Sequence, residues 1–210
     1  MVRVDDVDVT QLDVSMLDDD ERGRAATLAV PDDRRRYVAS HLIVRYLLGA
    51  YLGVPPSSVA YLREPCACCG APHGRPALDK PSRPLHFSLS RSGGLALVGI
   101  ASARVGVDVE PISQQDTVAE VSPLLHPAER TEIFSAMPSK RAAAFTRIWT
   151  RKEAYLKGMG LGVTHDLMAD YLGTEQHAVA PMGWTVVAAP VPAGYAGAAA
   201  VQGQWGGGSN

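Results

Sequence analysis

"VGVDVEPI", residues 105–112, is the stretch on which the reading of this chain turns. Its alternation of Val105, Val107 and Val109 with Gly106, Asp108 and Glu110 predicts a β-strand. Side chains two apart on a strand point the same way, so Asp108 and Glu110 share one face and the valines share the other. Two carboxylates on one face repel unless water or a positive charge lies between them. Taken alone, the pattern also fits a half-buried strand with its acidic side in solvent.

Upstream, "DRRRYVASHLIVRYLLGAYLG" (33–53) repeats its apolar residues at helical spacing. Asp32 or Asp33 is placed to cap its start, and Gly53 with Pro55 and Pro56 to end it. Residues 54–84 read as loop with one short strand, being rich in Pro and Gly. "LHFSLS" (85–90) and "GLALVGIAS" (94–102) read as a hairpin turning at "RSGG". Downstream, "HPAERTEIFSAM" (126–137) is a short helix and "KRAAAFTRIWTRKEAYLKGMG" (140–160) a long one, closed by Gly158 and Gly160. Strands are expected near 171–180 and 183–190, and "GGGSN" reads as a disordered tail. The order helix, strands, helix, strands predicts an α+β fold of two similar halves, divided as 1–102 and 103–210.

A formal net charge of −2 disfavours a nucleic-acid-binding surface, which needs a basic excess. No apolar run is long enough to span a bilayer, and the opening "MVRVDDVDVTQLD" lacks a basic region followed by an apolar one. A cytoplasmic protein is the expectation. All three cysteines, Cys66, Cys68 and Cys69, fall in "EPCACCGAPHG", which is no disulfide framework. With His73 they leave a zinc-binding adaptor open, although four ligands in so short a run are cramped.

In the second long helix Trp149, Glu153 and Lys157 lie four apart on one stripe, with Lys152 beside them. Glu before Lys at this spacing also suits a plain surface ion pair. Combined with Asp108 and Glu110, Glu153 makes an all-oxygen set that suits Mg²⁺, with Mn²⁺ as an alternative. Magnesium takes few protein ligands and shares phosphate oxygens with its substrate. Arg34, Arg35, Arg36, Arg45, Arg75 and Arg91 lie beside turns and helix starts as a supply of anion-binding groups. The residues thus point to metal-assisted chemistry at a phosphate ester or anhydride, a nuclease being the rival reading.

"GVDVEP" followed downstream by "WTRKEAYLKGMGLG" resembles the paired signature of 4′-phosphopantetheinyl transferases. "HGRPAL", "HFSLSRSGG" and "RRRYVASHLIVRYLLG" are similar to three supporting segments of that family, so the likeness covers roughly residues 33–163. Chain length points to the surfactin-type (Sfp-type) enzymes, in which two related α+β halves form a pseudo-dimer with coenzyme A in the cleft between them.

The resemblance implies that Asp108, Glu110 and Glu153 hold Mg²⁺ and that Glu153 and Lys157 are catalytic. Lys157 and Lys152 would face the phosphates of coenzyme A, and Arg36 the 3′-phosphate of its adenosine. Gly74, Arg75 and Pro76 would line the adenine, with Ser88, Ser90 and Arg91 approaching the phosphates. Arg91 stands where the family pattern has His, so this position cannot be a neutral proton acceptor. The implied reaction moves phosphopantetheine to a serine of an acyl or peptidyl carrier protein, by a monomer that needs no nucleic acid or membrane. Residues 112–137 and "GMGLGV" (158–163) are candidate contacts for that carrier protein.

Overall fold

The computed structural model describes residues 1–8, 12–66, 69–72, 74–161, 166–174 and 180–203. A helix α1 (Asp19–Thr27) and a long helix α2 (Pro31–Leu52) precede strands β2 (Tyr61–Arg63), β3 (Pro76–Leu78), β4 (His86–Ser92) and β5 (Leu95–Ala101). β1 is the short Val2–Arg3. The second half comprises β6 (Val105–Pro111), α3 (Gln115–Val121), α4 (Pro127–Ser135), α5 (Pro138–Met159), β7 (Trp184–Ala188) and β8 (Tyr195–Gln202). Each half thus carries one long helix and one three-stranded antiparallel sheet, ordered β1-β5-β4 and β6-β8-β7. This is the expected α+β class.

Local chemistry explains most boundaries. Pro31 and Pro138 occupy the first turns of the two long helices, where a missing N–H costs nothing. Gly53 (φ 70°) and Gly160 (φ 80°) end them in the left-handed conformation. The start of α2 departs from expectation: Val30 precedes Pro31, and Asp32 and Asp33 lie inside the first turn, where they favour the helix dipole rather than cap it. α1 has the capping box that α2 lacks, Asp18 and Glu21 each bonding the other's backbone amide.

Two expectations fail. Residues 54–84 hold two short strands, since β2 and β3 pair from Tyr61 with Leu78 to Arg63 with Pro76. Residues 171–174 are not a strand, and 175–179 lie outside the described residues. The tail 206–210, Cys68, His73 and residues 162–163 also lie outside them.

The halves meet along β4 and β6, which run side by side in the same direction. No backbone ladder joins them; instead Ser88 Oγ accepts the Val107 amide at 3.1 Å and Ser90 Oγ the Val109 amide at 3.3 Å. Hydroxyl groups thereby satisfy two amides of β6 that would otherwise be buried and orphaned. Val105, Val107 and Val109 join Leu95 and Leu97 of β5 in a core on the other face of the strand. Gly106 faces α5, and a Cβ there would lie 1.9 Å from the Ala154 carbonyl oxygen and 2.3 Å from the Gly158 nitrogen. Alanines continue the close fit: Ala198 and Ala200 of β8 are fully buried beside Ala154. No helix among the described residues is long and apolar enough to cross a membrane.

Gly106→Ala is expected to push α5 off the sheet and cost about 2 to 3 kcal/mol of stability. Urea denaturation followed by tryptophan fluorescence measures this; a variant as stable as the parent would contradict the backbone contact.

Candidate active site

Since Gly106 lets α5 lie on β6, the next residues on that face of the strand, Asp108 and Glu110, come under the same helix. Lys157, one turn after Glu153, places Nζ 2.5 Å from Asp108 Oδ1. Ser90 Oγ donates to the same oxygen at 2.8 Å, and Lys157 Nζ donates to Ser90 at 3.3 Å. Ser92 Oγ donates to Glu110 Oε2 at 3.0 Å. Ser90 and Ser92, two apart on β4, thus face Asp108 and Glu110, two apart on β6.

The carboxyls are under electrostatic stress. Burial, and then the neighbouring Asp108, push the Glu110 carboxyl above its ordinary range, with Ser92 and Lys157 opposing. Burial pushes Glu153 up as well, followed by Asp108; Lys157 offsets part of this and Glu110 adds to it. Asp108 is 1% exposed, and its second oxygen, Oδ2, is buried with no hydrogen-bond partner. A buried oxygen left without a partner costs on the order of 1–3 kcal/mol, more for a charged group. Hard oxygens, an orphan lone pair and mutual repulsion are the signature of a site that a divalent cation would relieve. The ligand cage is not preformed: among the described residues no three His, Cys, Asp or Glu side chains converge closely enough to hold a metal.

Beside this cluster opens a cavity of about 520 Å³ whose wall includes Lys157, Ser88, Arg91, Gly74, Arg75, Pro76, Cys66 and His41. It shares His41, Arg63, Pro76, Phe87, Leu89 and Arg91 with a second cavity of about 530 Å³, which extends to Asp18, Glu21, Arg24 and Tyr37. Gly74 is required where it stands, because a Cβ would lie 2.4 Å from the Glu64 carbonyl oxygen. Arg75 grips Glu64 through two bonds of 2.7 Å and lies 3.1 Å from His86 Nδ1.

Two residues expected at the site, Lys152 and Arg36, have partners elsewhere. Lys152 is 3% exposed and turns to the far side of α5, where it donates to the Leu167 and Asp170 carbonyls and pairs with Glu129 at 3.0 Å. A buried ammonium needs such a full set of acceptors, and Lys152 has no N–H left to donate to a phosphate. Arg36 lines neither cavity; Asp5 takes its Nε at 2.8 Å and its NH2 at 3.1 Å. Ser90 stays in the acidic cluster, where its hydroxyl accepts the Val109 amide and donates to Asp108. The cysteine loop shows no metal-holding group among the described residues, Cys66 and Cys69 being the two thiols described.

The sequence reading passed over His41, Tyr37, Glu21 and Arg24 in the cavity walls. A histidine inside the apolar run "YVASHLIV" was the available signal for the first of them.

A carboxyl pushed up by folding destabilises the protein as pH rises from its ordinary value through the raised one, and above that the cost is complete. Without divalent cation at pH 8, Glu153→Gln should therefore melt above the parent, with the gap closing near pH 4. Mg²⁺ should raise the melting temperature of the parent and not that of the variant. Calorimetric scans giving the same melting temperature at pH 8 for both proteins would remove the repulsive cluster.

Comparison with known proteins converges on the same residues. The model of the 4′-phosphopantetheinyl transferase superfamily matches residues 104–180. The chain is 33% identical over 151 residues to the 4′-phosphopantetheinyl transferase HetI of Nostoc sp., covering 70% of this chain and 61% of that protein. It is 26% identical to the 4′-phosphopantetheinyl transferases psf-1 of Bacillus pumilus, over 64% of this chain and 54% of the relative, and gsp of Aneurinibacillus migulanus, over 62% and 51%. The chain thus spans between half and two thirds of the length of these relatives. The segment that matches this superfamily model, residues 104–180, is the one that carries Asp108, Glu110, Glu153 and Lys157.

Proposed function

We propose that this chain moves the 4′-phosphopantetheine group from coenzyme A to a serine hydroxyl of an acyl or peptidyl carrier protein, releasing adenosine 3′,5′-bisphosphate. The observation that carries this reading is the buried acidic cluster, with Asp108 Oδ2 unpartnered, at the edge of a cavity lined by Lys157 and Arg91. The names borne by the relatives support it.

Asp108, Glu110 and Glu153 would hold Mg²⁺, or Mn²⁺ in its place, which when bound supplies positive charge to the diphosphate of coenzyme A. The rest falls to the chain's own side chains. Lys157 bridges Asp108 and the cavity, so its ammonium is available to a phosphate oxygen carrying developing charge. Phosphoryl transfer depends mainly on such positioning and neutralisation. Glu153 is the base for the serine hydroxyl, and a relay through a water suits it, because a carboxylate that holds Mg²⁺ is a weaker proton acceptor. Gly74, Arg75 and Pro76 form the wall for the adenine. Exposed Leu124, Phe134 and Met137, all within 112–137, suit an apolar contact with the carrier protein. The surfactin-type assignment, a monomeric working unit and a cytoplasmic site of action complete the proposal.

Incubation of the chain with apo carrier protein, coenzyme A and Mg²⁺ should add the mass of phosphopantetheine to the carrier, and chelation should abolish the gain. Glu153→Gln should stop turnover while changing coenzyme A affinity only a few-fold, which calorimetric titration measures. Near-normal turnover in that variant, or cleavage of DNA in place of carrier modification, would overturn the assignment.

A further inference from the structure

The cavity beside Lys157 has a thiol in its wall, Cys66, which the proposed reaction does not use. Cys66 is half-buried, and Cys69, three residues on, is exposed. Both stand at the tip of a hairpin. β2 and β3 pair as far as Arg63 with Pro76, and further bonds extend the ladder. The Glu64 amide donates to the Arg75 carbonyl at 3.1 Å, and the Gly74 amide to the Glu64 carbonyl at 2.9 Å. The Cys66 amide then donates to the Ala71 carbonyl and the Gly70 amide to the Cys66 carbonyl, each at 2.8 Å. Gly70, at φ 73°, takes the left-handed conformation that this turn requires.

Cys66 is therefore fixed at both of its backbone groups. A bond from the amide of residue i+4 to the carbonyl of residue i is that of an α-turn, which sets residues i and i+3 side by side. Neighbours at that spacing stand about 5–6 Å apart at Cβ, whereas a disulfide holds its Cβ atoms about 3.8 Å apart. Joining the two sulfurs thus has to tighten the turn. The hairpin has little slack to absorb the change, since a Cβ on Gly74 would lie 2.4 Å from the Glu64 carbonyl oxygen. Gly74, Arg75 and Pro76, on the returning side of the hairpin, belong to the same cavity wall as Cys66.

We propose that Cys66 and Cys69 form a thiol-modification site, closed to a Cys66–Cys69 disulfide by exchange with a low-molecular-weight disulfide, and that closure deforms the hairpin tip and weakens binding in the cavity. The effect on binding rests on the reading of that cavity as a coenzyme A site; the bond itself does not. The exposed Cys69 thiolate attacks one sulfur of the small disulfide, forming a mixed disulfide and expelling a first thiolate. The Cys66 thiolate then attacks the Cys69 sulfur, forming the internal bond and expelling a second thiolate. Two electrons pass from the protein to the small disulfide, and the two thiol protons go to solvent. A strained, exposed disulfide is readily reduced, so a reducing thiol reverses both steps.

Treatment of the full chain with glutathione disulfide, then alkylation and mass spectrometry with fragmentation, tests the site. The mass before alkylation should fall by two hydrogens, and the one cysteine alkylated should be Cys68. Calorimetric titration should show coenzyme A bound at least about tenfold more weakly by the oxidised chain, with the parent's affinity restored by dithiothreitol. Cys66→Ser should stop at a mixed disulfide on Cys69, and Cys69→Ser should keep the parent's affinity after the same treatment. A bond to Cys68, no internal bond, loss of affinity in treated Cys69→Ser, or an internal bond with unchanged affinity overturns the proposal and leaves the proposed reaction standing. Failure of the reduced parent to bind coenzyme A and to modify carrier protein overturns that reaction, and the effect on binding with it, even where the bond forms.

Discussion

Strand β6 and helix α5 touch through their backbones, with Gly106 against the Ala154 carbonyl and the Gly158 amide, and everything at the site depends on that contact. Helices usually stand off a sheet by the depth of a side-chain layer, about 10 Å between axes and plane. Removing Cβ from the contact brings Asp108 within ion-pair reach of Lys157 on the helix. Trp184 packs over the same place, its ring closest to the position a Gly158 Cβ would take. The glycine in "VGVDVE" is therefore as much a site residue as the carboxylates that follow it.

The second constraint is electrostatic. Three carboxyls, two of them raised in proton affinity by burial and by one another, are too many for one ammonium. Structural ion pairs elsewhere in the chain are balanced: Glu129 with Lys152, Glu21 with Arg45 and His41, Glu64 with Arg75. Among the described residues, this cleft gathers three carboxyls about one ammonium, an imbalance that an incoming cation would relieve.

Much of the fold was legible because its elements carry local signals. The helices over 31–52 and 138–159 have apolar periodicity, Pro near the start and Gly at the end, and the β4–β5 hairpin has its turn residues. β8 was not legible, since "YAGAAAVQ" is built from alanine, whose strand preference is poor; it is a strand because small side chains let α5 approach. At the site, strand and helix spacing correctly grouped Asp108 with Glu110 and placed Lys157 one turn from Glu153. Spacing cannot say which way a long side chain turns when two faces of a helix are buried. The partners of Lys152 and Arg36 could not be read for that reason: Glu129 and Asp5 are distant from them in sequence.

Ser90 has a further consequence. One hydroxyl accepts the Val109 amide, donates to Asp108 and receives from Lys157, so the joint between the halves and the acidic cluster share an atom. Any change in the charge around Asp108 must re-aim that hydroxyl, and with it the fastening that closes the cleft. Charge at the acidic cluster and one of the two hydroxyl fastenings between the halves are thereby linked through Ser90, while the Ser88 bond to Val107 stands apart from the cluster.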